Sequence, residues 1–204
     1  RILPIYALLT PHPFRSKLYN RATKKSFVTI SITSMNTIKI AINGFGRIGR
    51  SFFRTAFEIS DFDIVAVNDL TDTKTLAYLL KYDSVYGRFS KEVRVNDGNL
   101  EVCGKKIRVL AEKDPAKLPW KELGVDVVVE STGFFASVEK SQAHLDAGAK
   151  RVVVTAPMQD GGTVLMGLNE VALKDCKISS NASCTTNAAS PIIAILDEVL
   201  GIEK

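Results

Sequence analysis

Short runs of apolar residues alternate along this chain with segments in which apolar residues recur every three or four positions. Runs rich in valine and isoleucine predict strands, and the three-to-four spacing predicts helices packed by one face. The predicted strands are Lys39–Asn43, Ile64–Asn68, Lys105–Leu110, Val125–Val129, Val152–Val154 and Val164–Met166. The predicted helices are 48–59, Thr73–Leu80, Val138–Gly148 and a last one that begins at Cys184. A hairpin is predicted where Val93–Val95 and Leu100–Cys103 flank the turn residues Asp97-Gly98-Asn99.

The last predicted helix begins at a cysteine. Ser183 is a favourable N-cap, which places Cys184 in the first turn, where backbone N–H groups lack intrahelical partners. This positive end of the helix favours the thiolate, which is the nucleophilic form of cysteine. A lone cysteine is often a buried structural residue, but the polar run Thr185-Thr186-Asn187 argues against an apolar slot. Cys184 is therefore predicted to be a nucleophile.

The first predicted strand leads into a glycine motif of the form G-x-G-x-x-G, made by Gly44, Gly46 and Gly49. The first glycine allows a tight turn, the second lets the backbone approach a pyrophosphate, and the third lets helix and strand pack closely. Asp69 follows the next strand, at a spacing where an acid bonds the ribose hydroxyls and repels a 2′-phosphate. An ordinary glycine turn is the alternative, but the strand, the helix and the spaced acid together favour binding of NAD.

Two later strands end in loops of small polar residues, Ser131-Thr132-Gly133 and Thr155-Ala156-Pro157. Because ligands of open α/β sheets bind beyond the carboxyl ends of the strands, these loops are expected to form the rim of the cofactor site. Simple turn chemistry is the alternative explanation for their composition.

A thiol-dependent dehydrogenase also needs a general base, which is usually a histidine. The chain contains only His12 and His144. His12 lies in the N-terminal stretch, and His144 is expected to be a solvated or partly packed helix residue. Trp120 is expected to be a packing anchor.

Several motifs together resemble the N-terminal half of the glyceraldehyde-3-phosphate dehydrogenase family. They are Asn43–Arg50, Val67-Asn68-Asp69, Lys81–Gly87, Glu130–Phe135 and Ser180–Asn187. The resemblance implies an α/β fold, Rossmann-like and doubly wound with a mostly parallel sheet, followed by the start of an α+β catalytic domain. It implies an NAD-binding domain over residues 35–183 and the first helix of a truncated catalytic domain over residues 184–204.

The resemblance also implies a reaction, in which D-glyceraldehyde 3-phosphate is converted with NAD and inorganic phosphate to 1,3-bisphosphoglycerate. Cys184 would attack the aldehyde to give a thiohemiacetal and then a thioester, with Ser183 and Thr185 around the substrate. The residues implied at the cofactor, besides the three glycines and Thr132, are Arg47, Ile48, Asp69, Lys113 and Thr155. The base would lie beyond Lys204, so this chain is expected to be inactive by itself. Ala188 stands where many relatives carry a second cysteine, which is not the nucleophile.

The basic net charge of the chain comes from its N-terminal segment. Residues 1–34 contain six basic residues and no acidic ones, so without them the formal net charge falls from +5 to −1. The rest of the chain therefore has no basic excess of the kind that nucleic-acid binding requires. The apolar run 2–9 is too short to span a membrane. We interpret residues 1–34 as translated upstream sequence or a gene-model artefact, with a transit peptide as the alternative.

The three cysteines, Cys103, Cys176 and Cys184, do not form a pattern typical of disulfide bonds, which indicates a reducing, cytoplasmic location. No metal site is predicted, and the family implies a homotetramer. Two hypotheses remain open for function: the first half of a phosphorylating aldehyde dehydrogenase, or an NAD-binding module without turnover. Within the first, a dehydrogenase of erythrose 4-phosphate is the close alternative.

Overall fold

The computed structural model describes residues 37–174 and 176–202, so the predicted leader, residues 1–34, lies outside the described residues. The strands are β1 Ile38–Asn43, β2 Phe62–Asn68, β3 Tyr82–Asp83, β4 Gly87–Arg88, β5 Val93–Asn96, β6 Asn99–Val102, β7 Lys105–Leu110, β8 Val127–Glu130, β9 Arg151–Val154, β10 Gly162–Thr163 and β11 Ile178–Ser180. The α-helices are α1 Arg47–Ala56, α2 Thr73–Lys81, α3 Trp120–Leu123, α4 Val138–Asp146 and α5 Cys184–Leu200. Short 3₁₀ helices span Pro115–Lys117 and Glu170–Lys174.

Nine of the described strands form one sheet in the order β10-β11-β9-β8-β1-β2-β7-β6-β5. The pairings from β10 across to β7 are parallel, and only β6 and β5 are added antiparallel, as the predicted hairpin. The chain builds outward from β1 on one side and then returns to place β8 on its other side. The Rossmann-like, mostly parallel α/β fold is therefore confirmed, and the switch point beside β1 is where such sheets bind ligands.

Alternate residues of the central strands enter two different hydrophobic cores, one on each face of the sheet. Ile40 and Ile42 pack with Phe53 of α1 in the first core. Ala41 lies in the second core with Val128 and Trp120. Strand side chains point to opposite faces with a period of two, so strands buried on both faces appear in the sequence as unbroken apolar runs.

Several predicted boundaries differ from the structure. The helix predicted over 48–59 ends at Ala56, and no strand forms at Val164–Met166, since the strand there is β10, Gly162–Thr163. The strand predicted at Val125–Val129 begins only at Val127, because Gly124 adopts a left-handed φ of +65° and the Val125 N–H bonds the Trp120 carbonyl instead of a neighbouring strand. The helix predicted to reach Gly148 ends at Asp146, and Gly148 has a φ of +107°. None of the described helices is long and apolar enough to cross a membrane.

Candidate functional site

The glycine loop after β1 packs against the loop after β8. Gly44 has a φ of +87°, and a Cβ built there would lie 2.6 Å from the Thr132 backbone nitrogen. A Cβ on Gly49 would collide with the Gly44 carbonyl oxygen. The first and third glycines of the motif are therefore required by the protein's own packing.

Gly46 differs, because a Cβ there would meet no heavy atom within 4 Å. It is the N-cap of α1, it has no side chain to cap the helix, and no acidic residue stands in the first turn. A helix start of this kind presents unpartnered N–H groups and a positive dipole end to an anion. The space above Gly46 and the helix end therefore fit the pyrophosphate of a dinucleotide.

A cavity of about 430 Å³ opens at this point, over the carboxyl ends of β1, β2 and β8. Its lining residues are Asn43, Gly44, Gly46, Asn68, Asp69, Leu70, Glu112, Lys113, Ser131, Thr132, Phe134 and Phe135. A second cavity of about 480 Å³, lined by Tyr78, Tyr82 and Arg88 among others, contains none of the predicted site residues. The first cavity is therefore the candidate cofactor site.

Asp69 lines the cavity and also holds the glycine loop. Its Oδ2 accepts the Phe45 N–H at 2.8 Å, and its Oδ1 accepts the Thr71 N–H at 3.0 Å. A carboxylate has about four lone-pair positions, so each oxygen keeps capacity for another donor. Sequence spacing indicated the position of Asp69, but its bond to the loop depends on the parallel pairing of β1 with β2.

The other predicted cofactor residues occupy different positions around the cavity. Lys113 is exposed and lines it, as does Thr132. Arg47 and Ile48 are exposed in the first turn of α1 but do not line it. Thr155 also lies outside the lining, and its hydroxyl donates to the Glu130 carbonyl at 3.1 Å. The structure thus brings Lys113 and Thr132 to the cavity with the glycines and Asp69.

Two charged residues, Arg50 and Asp83, lie near the glycine loop and the start of α1. Burial lowers the pKa of Arg50, whose Nη1 donates to the Phe45 carbonyl at 2.8 Å, while nearby Asp83 acts in the opposite direction. The N–H groups of Tyr86 and Val85 lower the pKa of Asp83, which lies 3.8 Å from Arg47 Nη2. Arg50 thus bonds the glycine loop directly, and Asp83 lies beside Arg47 at the start of α1.

The prediction that His144 is solvated or partly packed is wrong. His144 is fully buried, its Nδ1 accepts from Trp120 Nε1 at 3.0 Å, and its Nε2 lies 2.9 Å from Glu130 Oε2. Helical spacing does not show which face a short helix buries when polar residues point inward. Trp120 is buried as predicted, and it is also a hydrogen-bond donor.

Glu130 was not predicted as a site residue, although it lies directly beneath the cavity. It is 1% exposed, and its Oε1 accepts the Thr132 N–H at 2.7 Å. A glutamate that ends an apolar strand and precedes Ser131-Thr132-Gly133 was the available signal, because a buried carboxylate needs several donors.

The loop before Cys184 is strained and tightly bonded. Ala182 is buried with a φ of +59°, in the left-handed region that disfavours residues with a side chain. Its N–H donates to Ser180 Oγ at 2.9 Å, and Ser180 Oγ donates to the Ala156 carbonyl at 2.7 Å. These bonds join the segment before Cys184 to the loop after β9.

The predicted cap and helix start at Cys184 are confirmed. Ser183 is the N-cap, its Oγ accepts the Thr186 N–H at 3.0 Å, and Cys184 is the first residue of α5. Asn187 Nδ2 donates to the Asn181 and Ser183 carbonyls at 2.6 and 2.9 Å, which holds the helix start against the loop. Cys184 is exposed. Because β11 and β8 are parallel and separated only by β9, Cys184 lies at the same sheet edge as the cavity.

Comparisons with known proteins agree with this arrangement. Residues 38–138 match the family model described as glyceraldehyde 3-phosphate dehydrogenase, NAD binding domain. Glyceraldehyde-3-phosphate dehydrogenase of Thermotoga maritima is 55% identical over 80% of this chain and 50% of its own length. The Geobacillus stearothermophilus enzyme is 54% identical over 82% of this chain and 51% of its own length.

The chain therefore spans about half the length of the curated relatives it matches. It belongs to the glyceraldehyde-3-phosphate dehydrogenase family, of which it represents the N-terminal part with the NAD-binding domain.

Proposed function

We propose that this chain supplies the NAD site and the nucleophile of an enzyme that converts D-glyceraldehyde 3-phosphate and inorganic phosphate to 1,3-bisphosphoglycerate. The observation that carries the proposal is the position of Cys184. It is exposed at the start of a capped helix, at the same edge of the sheet as the cavity over Gly44 and Asp69. A nucleophile and a dinucleotide site at one edge are what such a dehydrogenase needs.

The residues around the cavity would hold NAD by distinct interactions. The N–H groups at the start of α1, above Gly46, would bind the pyrophosphate. The free lone pairs of Asp69 would accept the adenosine ribose hydroxyls. Lys113 and Thr132 would contact the cofactor from the cavity wall, and Arg47, Ile48 and Thr155 from its surroundings. When bound, NAD would supply the hydride acceptor of the reaction.

Cys184 would perform the covalent chemistry. Its sulfur would attack the aldehyde carbon to give a thiohemiacetal, and after oxidation the resulting thioester would be opened by phosphate. This covalent route divides one difficult step into two easier ones. Ser183 and Thr185, whose hydroxyl oxygens lie 2.8 Å apart, would face the substrate beside the sulfur.

A general base for Cys184 is not provided by His144. Both of its ring nitrogens are engaged in buried hydrogen bonds, to Trp120 and to Glu130. We therefore propose that the 204 residues bind NAD but do not complete the reaction, and that the base belongs to a further part of the protein. This engagement of His144 favours, for these residues by themselves, the second function, an NAD-binding module without turnover.

The division of the chain is part of the same proposal. Residues 35–183 would form the NAD-binding domain, and residues 184–204 the first helix of a catalytic domain. The exposed apolar residues of α5 support this division, because an amphipathic helix is stabilised mainly by packing. From the family resemblance we propose a cytoplasmic homotetramer for the whole protein.

Calorimetric titration of the 204-residue chain with NAD and with NADP tests the cofactor assignment. NAD is expected to bind more tightly, because Asp69 would repel a 2′-phosphate. Equal or tighter binding of NADP would contradict the role of Asp69. Iodoacetamide labelling read by mass spectrometry tests the nucleophile, and Cys184 is expected to react before Cys103, which is also exposed, and before Cys176. Faster labelling of Cys103 or Cys176 would contradict the proposal.

A further inference from the structure

Five buried side chains form a continuous hydrogen-bond network beneath the candidate cofactor cavity. Its members, in the order in which they are hydrogen-bonded, are Trp120, His144, Glu130, Asn43 and Asn68. Each is between 0% and 5% exposed. We call this set the Glu130 network. Buried polar groups are costly unless each one is paired, so the direction of every bond carries information.

The direction of the bonds is set at one end by Trp120. The indole nitrogen is a donor only, so His144 Nδ1, which lies 3.0 Å from it, must be an acceptor without a proton. The imidazole proton is therefore on Nε2, which donates to Glu130 Oε2 at 2.9 Å. His144 is thus a neutral Nε2–H tautomer that presents a donor to Glu130.

The direction is set at the other end by a backbone group. The Glu112 N–H can only donate, and it donates to Asn68 Oδ1 at 2.9 Å. Asn68 Nδ2 must then donate, and it does so to the Glu112 carbonyl at 2.8 Å and to Asn43 Oδ1 at 2.7 Å. Asn43 therefore presents its Nδ2 to Glu130 Oε2, at 2.6 Å. A second donor thus arrives at the same oxygen.

The remaining oxygen of Glu130 receives donors as well. Oε1 accepts the Thr132 N–H at 2.7 Å and also the Thr132 hydroxyl. The His144 Nε2–H, the Asn43 amide and the Thr132 N–H can only donate to the carboxyl, whereas the Thr132 hydroxyl can donate or accept. Oε2 is therefore an acceptor that receives two donors, and an amide NH₂ group would face an N–H donor at either oxygen.

We propose that Glu130 is a positioning residue for the cofactor site, a carboxyl whose orientation is imposed by Trp120 and by the Glu112 backbone. The proposal rests on the proposed function in naming NAD as the cofactor. Glu130 holds the Thr132 N–H, and the Thr132 nitrogen is the heavy atom nearest to the position that a Cβ on Gly44 would occupy. Through this contact Glu130 determines the distance between the rim loop and the glycine loop.

Glu130→Gln tests the proposal, because it keeps the shape of the side chain and replaces one acceptor oxygen with a donor NH₂ group. In either orientation the glutamine amide faces an N–H donor, from Thr132 on one side or from His144 and Asn43 on the other. We expect NAD to bind about 10-fold more weakly by calorimetry, which is the effect of one mispaired buried donor. In the ligand-free chain, NMR should show hydrogen exchange of the Thr132 amide about 10-fold faster or more.

Glu139→Gln is the matched control, because Glu139 is an exposed glutamate on the same helix as His144. It should leave both the NAD affinity and the Thr132 exchange rate at their original values. A folded Glu130→Gln chain with unchanged Thr132 exchange and unchanged NAD affinity would overturn the proposal.

A measurement on the unsubstituted chain keeps the proposal testable if Glu130→Gln does not fold. The chain has two histidines, so ¹⁵N NMR of the imidazoles can resolve His144. The expected spectrum is that of a neutral Nε2–H tautomer at neutral pH, and an Nδ1–H tautomer or an imidazolium would overturn the network's direction. These ligand-free results decide the positioning role separately from the proposed function, which fails instead if the unsubstituted chain does not bind NAD.

Discussion

The candidate site has a cofactor half, the cavity over Gly44 and Asp69, and a cysteine half, the start of α5 at Cys184. The two halves differ in how many tertiary contacts hold them in place. At the cofactor cavity, every element is bonded to another: Asp69 to the glycine loop, Glu130 to the rim, and Asn68 to the Glu112 backbone. Helix α5 has a bonded start at Ser183 and Asn187, but none of its residues is buried. The cofactor half is thus held by tertiary contacts, and the cysteine half by local ones.

The exposed residues of α5 include the apolar ones that make its helical pattern. The large side chains left exposed there are Ile192, Ile193, Ile195, Leu196, Val199 and Leu200. Pro191 lies inside the helix and has no N–H to donate to the Asn187 carbonyl. A helix in this condition lacks most of the stabilisation that packing gives. The comparison shows that local bonds by themselves can fix the helix start at Cys184, whereas the cofactor cavity is fixed by tertiary ones.

The largest expected effect is on turnover, because the cofactor half should function in NAD binding while the cysteine half should not complete the reaction. The 204-residue chain should bind NAD but show no measurable NADH formation with glyceraldehyde 3-phosphate and phosphate. Because both ring nitrogens of His144 are engaged in buried hydrogen bonds, we expect no positioned acid/base group at Cys184, and the lack of one typically costs about 10²- to 10⁴-fold in rate. NADH absorbance is the measurement, and Cys184→Ser is the control. Turnover close to that of a complete relative, abolished in the control, would show that a base other than the one we expect serves Cys184.

A pair of isoleucine substitutions compares the packing of the two halves. Ile42→Ala should lower the free energy of unfolding by about 2–5 kcal/mol, because Ile42 is fully buried in β1. Ile195→Gln should change it by less than about 0.5 kcal/mol, because Ile195 is 51% exposed on α5. Urea unfolding measures both. A large loss of stability for Ile195→Gln would mean that α5 packs more closely than the structure shows.

A pair of glycine substitutions sharpens the comparison within the cofactor half. Gly44→Ala should lower the free energy of unfolding by about 1–3 kcal/mol, because of its positive φ and the Thr132 nitrogen 2.6 Å from the new Cβ. Gly46→Ala should leave stability within about 1 kcal/mol, because nothing lies near its Cβ.

The same pair separates packing from ligand binding. Gly46→Ala should still weaken NAD binding by calorimetry, because its methyl group would occupy the space proposed for the pyrophosphate. Gly46→Ala with undiminished NAD affinity would contradict the placement of the pyrophosphate at the start of α1.

The smallest expected effect concerns a carboxylate that joins three segments far from the cavity. Burial by itself would raise the pKa of Asp126, but hydrogen bonds from Lys150 Nζ and the Lys39 N–H lower it below its ordinary value of 3.8. A carboxylate with a lowered pKa stabilises the fold above about pH 4, and this contribution is lost as pH falls through the folded-state pKa. Asp126→Asn should therefore cost about 1 kcal/mol at pH 7 and less at pH 3.

Urea unfolding at the two pH values measures this effect, with Glu198→Gln on the exposed surface of α5 as the control. The control should be nearly neutral at both values. A cost of Asp126→Asn that does not shrink in acid would show that shape, and not charge, accounts for the role of Asp126.

Much of the fold could be predicted because its signals are local. The run Ile40-Ala41-Ile42, the glycines that follow it and the helical spacing after them lie within about twenty residues, and strand, turn and helix propensities act over that range. The cap at Ser183 and the helix start at Cys184 were predicted for the same reason. The left-handed conformation of Ala182 was not, because alanine carries no signal for a positive φ.

The sequence by itself determined the Rossmann-like order of elements, the glycine loop, the acid at Asp69 and the cysteine at a helix start. Only the tertiary structure decided the tautomer of His144, the hydrogen-bond partners of Glu130 and the close approach of Gly44 to Thr132. These depend on pairs of residues far apart in the chain, such as Asn43 and Glu130, which meet because β1 and β8 pair in one register. Periodicity reports which face of an element is apolar, but the partner of a buried polar group is set by strand order and register.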